Sequence, residues 1–144
     1  PLSIGWKVHE VWMSCDGSYA VTRGAWQGQQ RRPGVFVTVW QRQPKTGEYR
    51  WVLRLAEPRA SVPDAPDMIP AHVAQCTNRP RHPAPGRKPP KAPATIDPAT
   101  AQSDDGTLRW SAVLDAKGAG TFVASRWTGS GYEEACRLAL SPRP

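Results

Sequence analysis

The chain has 144 residues, a formal net charge of +7 and a hydrophobic share of 39%, the size of one domain with enough apolar material for a core. No apolar run approaches the ~20 residues that cross a bilayer as a helix, and neither phosphate-cradling glycine loops nor a Gly-x-Ser-x-Gly elbow is present. The positive charge invites nucleic acid, but Arg79, Arg81, Arg87, Lys88 and Lys91 lie in a proline-rich stretch where solvated cations keep a chain soluble, so no specific nucleic-acid partner is expected.

The elements follow in chain order. Trp6, Val8, Glu10 and Trp12 alternate with Lys7, His9, Val11 and Met13, which predicts a strand with apolar residues on both faces. Cys15-Asp16-Gly17-Ser18 predicts a hairpin turn, because Asp-Gly tolerates the positive φ of tight turns. Tyr19–Trp26 is the return strand, and Gly24 within it marks a bulge or a sharp bend. A polar loop over 28–34 leads to a third strand from Val35 to Trp40, and Pro44-Lys45-Thr46-Gly47 turns the chain into a fourth. There Tyr49, Trp51, Leu53 and Leu55 are expected on one face, with Glu48, Arg50 and Arg54 on the other.

Eleven of the 16 prolines lie between Pro58 and Pro98, and periodicity fails over residues 58–105. This stretch reads as an insertion or loop in a single domain spanning 1–144, with a short extended piece at Met68–Ala74 and a mobile centre at 79–93. Order resumes at Thr107. A strand over Leu108–Asp115, a turn at Lys117–Gly120, a strand over Thr121–Trp127, a turn at Thr128–Gly131 and a closing segment Tyr132–Leu140 follow. The closing segment reads as a strand, with a short helix from Glu133 as the alternative. The total is seven strands. Val11–Trp26 and Arg109–Trp127 also look loosely alike, the pattern of an internal repeat or of any two aromatic-flanked hairpins.

Cys15, Cys76 and Cys136 form no Cys-x-x-Cys pair, so no metal site is expected. Two arrangements stand open: a Cys15–Cys76 disulfide with one free thiol, suited to an exported protein, or three reduced thiols. The chain opens on Pro1 rather than Met, which reads as a processed or trimmed N-terminus; an exported or periplasmic location is consistent with it.

Three segments carry a family resemblance: Cys15-Asp16-Gly17-Ser18-Tyr19 running on to Gly24-Ala25-Trp26, then Phe36-Val37-Thr38-Val39-Trp40-Gln41-Arg42, then Tyr49-Arg50-Trp51-Val52-Leu53. Over this third of its length the chain resembles the bacterial, SnoaL-like branch of the nuclear transport factor 2-like superfamily. The resemblance implies an α+β, mainly β fold, in which a strongly curved antiparallel sheet forms a cone around helices that precede it. It also implies homodimers formed through the sheet, and a range of isomerases, dehydratases and proteins without known activity. Two departures matter: the leading helices have no counterpart before Pro1, and Arg54 stands where the family's fourth strand often ends in Asp.

An acid–base enzyme of that kind needs a carboxylate or His in an apolar pocket. Glu10 and His9 are the candidate catalytic residues, with Tyr19 as a hydrogen-bond donor. Against this, Glu10 has Arg23 as a natural partner across the hairpin, and Asp16 reads first as a turn residue. Trp12, Trp26, Trp40 and Trp51, with Tyr19, are the candidate lining of a pocket for an apolar small molecule, or else core. No cofactor is implied. A small-molecule-binding or accessory module is the leading expectation, ahead of a cofactor-independent isomerase or dehydratase and of a protein-interaction module using the sheet face and basic loop.

Overall fold

The structure, a computed structural model, describes residues 4–28, 31–80 and 101–144. Among these there is no helix, and nine strands form two sheets. β1 (Ile4–Met13), β2 (Tyr19–Gly28), β3 (Arg31–Arg42) and β4 (Tyr49–Pro58) make an antiparallel meander, and β5 (Ala71–Val73) adds to β1 in parallel. β6 (Ala101–Gln102), β7 (Leu108–Leu114), β8 (Gly120–Trp127) and β9 (Tyr132–Leu140) make a second antiparallel meander. The single sheet of about seven strands expected above is therefore two sheets. The expected polar loop over 28–34 is strand for most of its length, because β3 begins at Arg31. The closing segment is strand and not helix. Most of the expected mobile centre at 79–93 lies outside the described residues.

One core joins the sheets. Trp12, Val21, Val37 and Val39 from the first pack on Leu108, Trp110, Phe122, Cys136 and Leu138 from the second. These are the β-branched, aromatic and long apolar residues that fit a half-buried pleated surface, and they alternate with residues on the outer faces as the period of a strand requires.

Two β-bulges decide which residues reach that core. In β1 the register slips between Val8 and Glu10, so His9 is an extra residue. Trp6 and Val8 therefore face outward, while Glu10 and Trp12 face inward. In β4, Val39 pairs with Leu53 but Trp40 pairs with Trp51, leaving Val52 extra. Leu53 and Leu55 face the core, whereas Trp51 and Tyr49 are turned to the outer face beside Arg54. The expected common face of Tyr49, Trp51, Leu53 and Leu55 is thus split in the middle. Gly24 sits opposite the first bulge; a Cβ there would overlap the Lys7 carbonyl and come within 2.8 Å of the Phe36 ring, so only glycine lets Phe36 lie flat across the strand.

The two meanders repeat one another. Ser14-Cys15-Asp16-Gly17-Ser18 and Ser103-Asp104-Asp105-Gly106-Thr107 form matching turns. In each, the Asp carboxylate accepts from the preceding Ser and the following hydroxyl residue (Ser14 Oγ 2.7 Å and Ser18 Oγ 2.8 Å; Ser103 Oγ 2.9 Å and Thr107 Oγ1 2.8 Å). Gly17 and Gly106 have φ of 72° and 73°. Tyr49 donates to Gly17 O at 2.6 Å, and Tyr132 to Gly106 O at 2.8 Å. Each half also carries a bulge at the same place, since Ala124 pairs with Cys136 but Ser125 with Glu134, which makes Ala135 the counterpart of Val52. The repeat is real in the fold, but its partner for Ser14–Tyr19 is Ser103–Leu108, ahead of the Arg109–Trp127 stretch that the sequence suggested.

The halves meet through these turns by reciprocal bonds. Cys15 N donates to Thr107 Oγ1 at 2.8 Å, and Asp104 N to Ser18 Oγ at 3.1 Å. Asp16 N adds a bond to Asp105 Oδ2 at 2.9 Å. A disulfide joins Cys15 to Cys76, with Cα atoms 5.4 Å apart. It seats the segment after β5, where Ala74 N bonds to Met13 O in the first sheet and Gln75 N to Trp127 O in the second.

Candidate functional site

The inner-face candidates form a closed polar cluster. Glu10 Oε2 accepts from Arg23 at 2.6 Å, and its Oε1 lies 2.9 Å from His72 Nε2. The His72 ring stacks on Trp12 with centroids 5.9 Å apart, and Arg23 lies 5.3 Å from the Trp12 centroid. Both oxygens of Glu10 are thus engaged by cations or a potential cation, an ion-paired structural arrangement. His9 sits at the β1 bulge beside a separate cleft of about 370 Å³, bordered by Arg23, Arg59, Pro63, Arg137 and Leu138. The two candidate catalytic residues therefore do not converge on one pocket.

Tyr19 faces inward with its ring 4.9 Å from Trp110. Burial, with Asp104 nearby, pushes its phenol pKa up, only partly offset by a hydrogen bond with Gln41, so it stays neutral at ordinary pH. Trp12 belongs to the core between the sheets. Neither residue lines the surface that Trp26, Trp40 and Trp51 share.

That surface is the outer face of the first sheet. The Trp6 ring lies 5.2 Å from Trp26 and 5.1 Å, edge-on, from Phe36. Trp26 Nε1 donates to Arg32 O at 3.2 Å and Trp40 Nε1 to Thr22 Oγ1 at 3.0 Å, which satisfies the indole N–H groups and fixes both rings. Trp6 and Trp51 are 47% and 57% exposed, whereas Thr38 between them is 1% exposed. A cleft of about 330 Å³ opens here, walled by Trp6, Val8, Phe36 and Trp40 with Thr38 and Arg54. Arg54 donates from Nε to Thr38 Oγ1 at 3.3 Å, and its guanidinium carbon lies 5.8 Å from the Trp6 centroid and 5.3 Å from that of Trp51. Both spacings are in the cation–π range. Among the described residues no carboxylate lies within 4 Å of Arg54.

The second half offers a copy of the same fold for comparison. By register, Phe36 corresponds to Thr121, Trp40 to Ser125, Trp51 to Glu134 and Arg54 to Arg137. The core-facing positions stay apolar in both halves, with Val21 matched by Trp110, Val37 by Phe122 and Leu55 by Leu138. The second half keeps Trp127 and Tyr132 near its turn end, but it folds with Thr121, Ser125 and Glu134 at the places of Phe36, Trp40 and Trp51, so aromatic residues at those three places are not a folding requirement.

Of the tryptophans expected as lining, Trp40 walls the cleft while Trp26 and Trp51 share its sheet face beside it; Trp6, Phe36 and Arg54 were not among the candidates. The period-2 pattern put Trp6 with Trp12, and only the His9 bulge, which leaves no compositional trace, separates them. Among the described residues no group of three or more His, Cys, Asp or Glu side chains is placed to hold a metal ion, and no helix is long and apolar enough to cross a membrane. Neither a protein-family model, nor a curated protein, nor a solved structure matches this chain.

Proposed function

We propose that this domain is a small-molecule-binding module that takes a flat apolar ligand on the outer face of its first sheet, between Trp6, Phe36, Trp40 and Arg54. The observation that carries the reading is the contrast between the halves at matching places: Phe36, Trp40 and Trp51 line up with Thr121, Ser125 and Glu134, while the aromatic pair of the second half, Trp127 with Tyr132, sits at the far end of its outer face. A cleft of about 330 Å³ suits a ligand of one to three rings, within the usual range for such sites. Ring stacking supplies the affinity, and Trp26 and Trp40, already fixed by hydrogen bonds, lose little entropy on binding. Kinship with the nuclear transport factor 2-like superfamily, a cone-like curvature of the first sheet and a homodimer formed through it belong to this proposal too. They rest on the turn and the tryptophan-bearing strands that carry the resemblance.

Tryptophan fluorescence tests the reading. Two-ring hydrocarbons and aryl acids should quench emission saturably. Trp6→Ala, at an exposed position, should leave the thermal transition in place and weaken binding by about tenfold, the value of one lost stacking partner. No saturable response across the panel, or a response unchanged in Trp6→Ala, would remove the proposal.

A further inference from the structure

We infer that the ligand is an organic anion, a ring system bearing a carboxylate, and that Arg54 is the residue that recognises the charge; this rests on the binding reading above and adds the ligand's chemical class. Arg54 and Arg137 occupy matching places in the two halves, so their surroundings can be compared directly. Arg137 is neutralised within its own sheet: Nε and Nη2 both donate to Glu134 Oε1, at 2.9 Å and 2.6 Å. The counterpart of Glu134 is Trp51. In the first half the carboxylate that pairs with the arginine is thus replaced by an indole, and no carboxylate among the described residues pairs with Arg54.

Arg54 is also oriented. Its Nε is held by Thr38 Oγ1, a side chain shut away from solvent, while Trp6 and Trp51 lie against the guanidinium. The two terminal nitrogens have no protein acceptor among the described residues. A guanidinium fixed at Nε presents those N–H groups as a fork that matches the two oxygens of a carboxylate. The Trp6 and Trp51 rings flank the guanidinium at cation–π distance, while Arg54 itself stays exposed and open to a ligand. The walls beside it are apolar, so the complementary molecule has its charge at one end and a flat body at the other.

The experiment compares 2-naphthoate with its neutral analogue 2-naphthalenemethanol by calorimetric titration at pH 7. Wild type should bind the acid at least about tenfold more tightly. Arg54→Gln should erase that preference, read as the ratio of the two affinities falling to about one. Trp51→Glu, which rebuilds the Arg137–Glu134 arrangement around Arg54, should erase it as well. Arg54→Lys should retain only part of it, since the charge survives and the fork does not. Equal affinity for the two compounds in wild type overturns the inference and leaves the binding module standing. So does a preference that persists in both Arg54→Gln and Trp51→Glu. If neither compound binds, both proposals fall together. Should Arg54→Gln not fold, Trp51→Glu on the untouched arginine carries the test.

Discussion

At the scale of single residues, the chemistry concentrates in Asp16 and Asp105. Burial alone would push the Asp16 carboxyl pKa up, but hydrogen bonds from Ser18 N, Ser14, Ser18 Oγ and the Asp105 backbone outweigh it and hold the group below its ordinary value. A carboxyl whose folded pKa is depressed contributes stability above its unfolded pKa of 3.8 and loses that contribution as pH falls through the folded value. Asp16→Ala, which leaves Ser14 and Ser18 without their acceptor, should therefore cost about 1–3 kcal/mol at pH 6. Urea unfolding from pH 6 to pH 2.5 should show the gap to wild type narrowing below pH 4. Cys136 gives a second readout at this scale. Burial drives its thiol pKa up to about 12; the Arg23 charge opposes the rise and the Glu10 and Glu134 charges add to it. Iodoacetamide at pH 8 should leave it unmodified in the folded protein and react once the protein is unfolded. The Asp16-Gly17 turn was legible from the sequence because its determinants are local. Its bond to Asp105 spans 89 residues and was not, although the repeated Ser-x-Asp-Gly followed by Ser or Thr was the signal to follow.

At the scale of elements, bulges set the limit of legibility. Strand positions and turns follow from alternation and Asp-Gly or Gly punctuation, and most came out within a few residues. Faces did not, since one extra residue reverses every side chain beyond it. Val52 turns Trp51 from the core side to the outer face, and His9 puts Trp6 and Trp12 on opposite sides. The extended piece expected over Met68–Ala74 holds β5, but so short a run carried no sign of its parallel pairing with β1, and the Cys15–Cys76 bond ties down the segment just after it. The Cys15–Cys76 bond closes a separation of 61 residues, and in the chain-entropy view a loop of that size stabilises by about 2–4 kcal/mol. Cys15→Ser with Cys76→Ser should lower stability by that amount in denaturant titrations. It should also speed amide exchange over Ala71–Val73 while β2 and β3 stay protected. Equal exchange at Ala71–Val73 with and without the bond would show that parallel pairing alone holds β5.

At the scale of the molecule, duplication supplies the means of separating folding from function. Core positions repeat in kind, and among outer positions Tyr49 and Arg54 repeat as Tyr132 and Arg137, while Phe36, Trp40 and Trp51 do not, which isolates the aromatic cleft. The symmetry also has a mechanical side. At one end the sheets are stitched by the two Asp-Gly turns, the disulfide, and the 74–78 segment, where Trp127 Nε1 donates to Thr77 O at 2.9 Å and Asn78 to Gly129 O at 3.3 Å. At the other end the cross-links are sparse: Ser141 N to Glu57 Oε2 at 3.1 Å, and a long bond from Arg59 to Ala139 O at 3.4 Å. Opening should therefore begin there, with amides near Leu114 and Gly120 exchanging sooner than those of Cys15 and Leu108. The domain is bound like a book, along one spine, with its free edges at Glu57 and Ser141. A force or a partner acting on those edges would work with the full length of the sheets as its lever arm, and the paired turns would serve as the fulcrum.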